Sequence, residues 1–209
     1  MGSVRMDMIS DADVPTVAVD PSVTTWLARR RPMLIGGEAV DSPTTLTVED
    51  PSTGEQIAEV AQAGADHVAR AVTSARTAFD AGPFRWLPSS ARSRLILAAA
   101  EVVDRHAEQL AQLDSLDAGI PISVSRALVA SAVETMEYAA GVPARVEGTT
   151  LTPANLRGDQ FEAKMLREPV GVVAQVVPWN APVSTAIEKV VFALATGNTV
   201  CSSPLNKPP

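Results

Sequence analysis

The stretch from Val170 to Val177 constrains this chain more than any other. It is almost continuously apolar and β-branched, as expected of a strand covered on both faces of a parallel sheet. Pro178 stops it, because proline cannot donate to a strand ladder. Trp179 and Asn180 follow, and Pro182 then suits an early helix position. An apolar helical run leads to Gly197, which reads as the residue just past the helix end. Strand, sharp turn and helix in this order place Asn180 at the carboxyl end of a parallel strand, where open α/β sheets bind their ligands. The fold class predicted is therefore α/β.

The 209 residues allow one large domain or somewhat more, and with 46% hydrophobic residues the chain can fill a core. A net charge of -7 argues against a nucleic-acid-binding surface. Arg29-Arg30-Arg31 is too short a basic run to change that. No run is long and apolar enough to span a membrane. Residues 1–30 are expected to form a mobile leader, because the acidic start around Asp7, Asp11, Asp13 and Asp20 lacks the apolar core of a secretory signal. Cys201 is the single cysteine, so neither an internal disulfide nor a multi-cysteine metal site is expected. Such usage suits a reducing cytoplasm.

Residues 31–146 read as short strands followed by four helices. Met33-Leu34-Ile35 precedes Gly36-Gly37, a hairpin signal. Leu46 and Val48 alternate with polar neighbours, and Asp50 to Gly54 is a turn. The first helix should bury Val68, Val72, Ala75 and Phe79. The second, capped by Ser89 or Ser90, should bury Leu95, Ala98 and Val102. The third carries Leu110, Leu113 and Leu116 and ends at Gly119. The fourth, capped by Ser123, turns Leu128, Ala132, Met136 and Ala139 to one side. His67 and His106 are expected to face solvent, and Trp26 and Trp86 to pack. Residues 147–167 read as a hairpin arm with a turn from Pro153 to Gly158. An isolated hairpin is marginal, so the arm should pack on something else, such as another subunit. Residues 168–209 begin a parallel sheet.

With these pieces in order, the chain resembles the N-terminal part of an NAD(P)-dependent aldehyde dehydrogenase. Asp50-Pro51-Ser52-Thr53-Gly54-Glu55 is similar to the family's early turn. Trp86, Arg92 and Leu95 match its Trp…Arg…Leu helix entry. Leu116-Asp117-Ala118-Gly119-Ile120-Pro121 resembles its Leu-Asp-x-Gly-Lys-Pro, with Ile120 in place of the usual lysine. The most specific match runs from Arg167-Glu168-Pro169-Val170-Gly171 through Pro178-Trp179-Asn180-Ala181-Pro182 to Gly197-Asn198-Thr199-Val200.

The resemblance implies the N-terminal part of that fold: a helical segment, an incomplete Rossmann-like parallel sheet and a hairpin oligomerisation arm. It implies oxidation of a small-molecule aldehyde to a carboxylic acid through a cysteine hemithioacetal and a thioester, with NAD or NADP taking the hydride. Asn180 would be the neutral donor facing the developing oxyanion. Val176, Val177, Pro178 and Trp179 would line the cofactor cleft, and the full-length enzyme would be a homo-oligomer. Without the resemblance, an asparagine after a strand reads as a turn or capping residue. No Gly-x-Gly-x-x-Gly is present, so the cofactor rests on the resemblance alone.

After Val200 the sequence departs from the family. Ser203 stands where a cofactor-contacting lysine is usual, and Asn206 where a ribose-binding glutamate is usual. Both return if one guanine is inserted after the codon for Val200. A suitable codon choice then reads Val-Val-Leu-Lys-Pro-Ala-Glu-Gln-Thr-Pro. The expectation is a frameshift, with Cys201 an accident of the shifted frame rather than the nucleophile. The chain would then lack the catalytic domain and be poorly soluble or partly folded alone. A CoA-acylating enzyme and a catalytically inactive product or interaction remnant are the alternatives. The nucleotide sequence decides the frameshift: family-like coding should continue in another frame, and codons that cannot regroup this way rule it out.

Overall fold

A computed structural model describes residues 17–146, 148–156 and 159–204, with side chains also outside description at 152–162 and 204. The first sixteen residues of the expected leader, Glu147 at the start of the arm, Gly158 in its turn, and Asn206 lie outside the described residues.

The remainder of the expected mobile leader, from residue 17 on, includes a folded helix. Pro21–Leu27 forms helix α1, with Asp20 as its cap accepting from the Ser22 amide at 2.8 Å. Val23 is buried, and the Asp20 amide donates to Gln112 at 2.7 Å. Asp20-Pro21 is a cap followed by an N1 proline, a start signal present in the sequence. Strands β1 (Met33–Ile35) and β2 (Glu38–Val40) pair antiparallel across Gly36 and Gly37, both at positive φ. Strands β3 (Thr45–Glu49) and β4 (Gln56–Ala61) form a second antiparallel pair. Asp50 organises the turn between them, its Oδ1 accepting from the Ser52 amide at 2.8 Å.

Four helices follow: α2 (Ala65–Asp80), α3 (Ser89–Arg105), α4 (Ala107–Ala118) and α5 (Ile122–Ala140). Gly119 ends α4 in the left-handed region at φ 69°, where a Cβ would also press on Pro51. Several expectations about faces fail. In α3 the buried residues are Ile96 and Ala100, with Ile96 4% exposed and Leu95 52% exposed. The stripe is one residue out of the expected phase, because Leu95, Ile96 and Leu97 are all apolar and periodicity alone cannot choose among them. In α2 only Ala75 and Phe79 are buried, while Val68 and Val72 are exposed. No serine caps α3 or α5. Each helix follows a proline instead, Pro88 and Pro121. His67 is half-buried and accepts the Gly64 amide at 3.1 Å, so it caps α2 rather than facing solvent. Trp26 and Trp86 are exposed, not packed; Arg31 lies over the first at 3.9 Å and Arg85 over the second at 4.1 Å.

Strands β5 (Thr149–Leu156) and β6 (Asp159–Met165) pair antiparallel. Then β7 (Val172–Val177), α6 (Pro182–Ala195) and β8 (Thr199–Pro204) make one parallel unit, with Val172 opposite Thr199 and Val177 opposite Pro204. The expectation that β7 is covered on both faces is not met. Gln175 and Val177 are buried, whereas Val176 is 53% exposed and Val170 is wholly outside the strand and exposed. The sheet has two strands among the described residues; α6 and α2 both pack on it, and Ala174 and Val176 of β7 stay exposed.

The main core is helix on helix. Ile96, Ala100, Met136, Ala139, Ala140, Val191 and Ala195 close around the junction of α3, α5 and α6. Four of these are alanines, which allows close approach of the helix axes. Ile96→Ala should destabilise the chain by about 2–5 kcal/mol. Leu95→Ala should change stability by less than about 1 kcal/mol. Urea unfolding of the two variants distinguishes this phase from the expected one, and equal losses would contradict it.

Candidate functional site

The parallel unit has its carboxyl edge at Val177, Pro178, Trp179 and Asn180. Trp179 and Asn180 form the turn that hands β7 to α6, and both are exposed. Ala181 precedes the helix at φ −158°, with no side-chain cap of its own, and Pro182 is at its first turn. Ser203 lies on β8 directly opposite Val176 in the register. The structure therefore brings Asn180, Trp179, Pro178, Val176 and Ser203 to one edge. Val177 is on that edge only through its backbone, because its side chain is buried. Cys201 is not there. It is half-buried opposite Ala174, two residues before Ser203, and faces a groove of about 390 Å³ whose walls include Ala75 and Leu194.

Residues distant in sequence hold the turn in place. At the start of α6, Asp114 Oδ1 accepts the Val183 amide at 3.2 Å. The first amides of a helix have no partner within it, so α4 supplies one from outside. Asp114 is 1% exposed, and its Oδ2 has no hydrogen-bond partner. Burial pushes its carboxyl up to about 6; the Val183 amide opposes this, and Asp117 adds to it by repulsion. At the other end of α6, Arg92 Nη1 donates to the Ala195 carbonyl at 3.2 Å, and Nη2 donates to the Arg85 and Leu87 carbonyls at 3.2 Å each.

Asn198 joins the two ends of the unit. Its Oδ1 accepts the Gly171 amide at 3.0 Å, and its Nδ2 donates to the Ala193 carbonyl at 3.2 Å and to Thr196 Oγ1 at 2.9 Å. Gly171 sits at φ 118°, so the chain enters β7 by a conformation that favours glycine. Along the strand, Gln175 Nε2 donates to the Lys189 carbonyl, and Lys189 Nζ donates to the Val176 carbonyl at 2.6 Å. Sequence reasoning named none of Asp114, Asn198, Gln175 or Lys189 for these roles. The one local signal was an acidic residue at 114 among the apolar positions of α4.

The edge can do two things chemically. It presents an amide donor, Asn180, beside the positive end of a helix, where developing negative charge is stabilised. It also presents an open apolar ledge with one hydroxyl, from Val176, Trp179 and Ser203. Among the described residues, no helix is long and apolar enough to cross a membrane.

The sequence model for the aldehyde dehydrogenase family matches residues 39–209. Aldehyde dehydrogenase 1 of Tanacetum cinerariifolium is 39% identical over 180 residues, covering 85% of this chain and 35% of that protein. Phenylacetaldehyde dehydrogenase of Pseudomonas fluorescens is 36% identical over 185 residues, covering 85% and 36%. Among solved structures, the NAD-dependent aldehyde dehydrogenase from Sinorhizobium meliloti aligns with a TM-score of 0.79 at 37% identity, covering 88% of this chain and 36% of that one. The NAD+ complex of aldehyde dehydrogenase from Bacillus cereus aligns at 0.84 and 33% identity, covering 90% and 38%. The chain thus spans little more than a third of the length of these relatives.

Proposed function

The chain belongs to the aldehyde dehydrogenase family, and from that premise we propose that it forms the oxyanion-donating, cofactor-facing part of an NAD(P)-dependent aldehyde oxidoreductase. The observation that carries this reading is the position of Asn180. It is exposed at the β7–α6 turn, at the carboxyl edge of the parallel pair, two residues before the start of α6.

Oxidation of an aldehyde by this family's chemistry begins when a thiolate adds to the carbonyl carbon. Negative charge then collects on the carbonyl oxygen. A carboxamide suits that oxygen, since its NH₂ donates without carrying a charge or an acidic proton. The amino end of α6 lies at the same place, and the Asp114 carboxylate offsets part of its positive charge. The helix that follows Asn180 is anchored at Val183 before charge develops, and prior positioning is the condition for such donors to lower a barrier.

The residues of the edge fit a dinucleotide in part. Val176 and Trp179 offer an apolar surface, Pro178 a rigid rim and Ser203 a hydroxyl suited to a ribose. Val177 would contribute backbone only. NAD or NADP, when bound, supplies the hydride acceptor. The attacking cysteine is not among the residues gathered here, because Cys201 lies on β8 two residues, about 7 Å by strand rise, before Ser203. For that reason the 209-residue chain is read as catalytically inactive by itself. The β5–β6 hairpin, with Leu151, Met165 and Leu166 exposed, is read as an oligomerisation arm.

Purified chain incubated with NAD+ or NADP+ and a panel of aldehydes should give no sustained rise in reduced-cofactor absorbance. Sustained turnover would contradict the inactivity. In a full-length enzyme of the family carrying this segment, Asn180→Ala should lower kcat by about 10²–10³-fold. A loss confined to KM would remove Asn180 from the oxyanion role.

A further inference from the structure

We propose that Asp114 is a positioning residue for Asn180: its carboxylate anchors the first turn of α6, and gain or loss of a proton shifts the Trp179–Asn180 turn. This rests on the reading of Asn180 given above, but its geometry stands apart from any turnover.

Val183 lies three residues after Asn180, and its amide is held by Asp114 Oδ1 at 3.2 Å. Ala181, the residue that flanks the helix start, supplies no side-chain cap. Asp114 therefore does from α4 what a local cap does in other helices. Its second oxygen, Oδ2, is buried and without a hydrogen-bond partner, and is the atom available to a proton. In the ionised state the bond to Val183 is charge-assisted, roughly twice as strong as a neutral one. The same negative charge lies at the positive end of α6. Protonation weakens both effects. Burial places this exchange near pH 6, so the anchor is firm above that value and relaxed below it.

Other charged and titratable groups lie on the elements around Asp114, and exposed His106 flanks the start of α4. On α4, Asp117 repels it, and Glu108 is paired with Arg126 of α5 at 2.7 Å. On α5, Glu134 and Glu137 are exposed. On α6, Glu188 and Lys189 are exposed, and Lys189 is bonded to the Val176 carbonyl. Asp20, at the head of α1, holds the Ser22 amide and Gln109, and Glu49 of β3 is exposed.

Trp179 adjoins Asn180 and reports on the turn. With Trp26→Phe and Trp86→Phe it is the sole remaining tryptophan of three. Its emission, followed at submicromolar protein from about pH 5 to about pH 8, should show an inflection near 6. Asp114→Asn should abolish the inflection. Asp117→Asn should move it to lower pH, since removing a negative neighbour favours the carboxylate. A flat titration overturns the proposal, as does an inflection that survives Asp114→Asn. If circular dichroism shows Asp114→Asn unfolded, Asp117→Asn decides, and an unmoved midpoint overturns the proposal. None of these readouts uses aldehyde oxidation, so failure of the catalytic assignment would leave them standing.

Discussion

Helix α6 is held at both ends by charges that oppose its dipole. Asp114 meets the Val183 amide at the positive end, and Arg92 meets the Ala195 carbonyl at the negative end. Both come from the helical layer, from α4 and α3. Asn198 then closes the helix end onto the start of β7 through the Gly171 amide. The turn bearing Asn180 is thus positioned chiefly by helices. The sheet, two strands wide among the described residues, could not fix it alone.

Apolar packing acts on the same helix. Val191 and Ala195 sit in the core with Ile96, Ala100 and Met136, so α6 is fixed laterally where it is capped axially. The opposite surface is different. Val176 and Trp179 are exposed there, and β7 is less covered than its apolar sequence anticipates. Order in this chain is concentrated on the side away from the edge where chemistry would take place. That arrangement keeps a donor rigid while leaving a face open.

Much of this was legible in the sequence. The strand–turn–helix around Asn180, the Gly36-Gly37 hairpin and the helix stop at Gly119 depend on local chemistry, and local chemistry is what a sequence displays. The anchors of the site are not local. Asp114 and Val183 are 69 residues apart, Arg92 and Ala195 103, and Asn198 and Gly171 27. No periodicity joins them. The same limit explains the phase of α3, where adjacent Leu95, Ile96 and Leu97 offer three possible stripes and α5 and α6 choose one. Trp86 is expected to pack, yet it is exposed and Arg85 stacks on it in the open. Helix α1 has a local start signal, Asp20-Pro21, within a stretch expected to be a mobile leader.

The central claim is that α6 is anchored as firmly as the core helices it packs on. Native-state hydrogen exchange, read on peptides from α6 and α5, tests it most directly. The account predicts that Pro182–Ala195 exchanges in the same slow class as Ile122–Ala140. Fast exchange across α6 while α5 stays protected would contradict it, and would leave Asn180 on a loose segment rather than a fixed one.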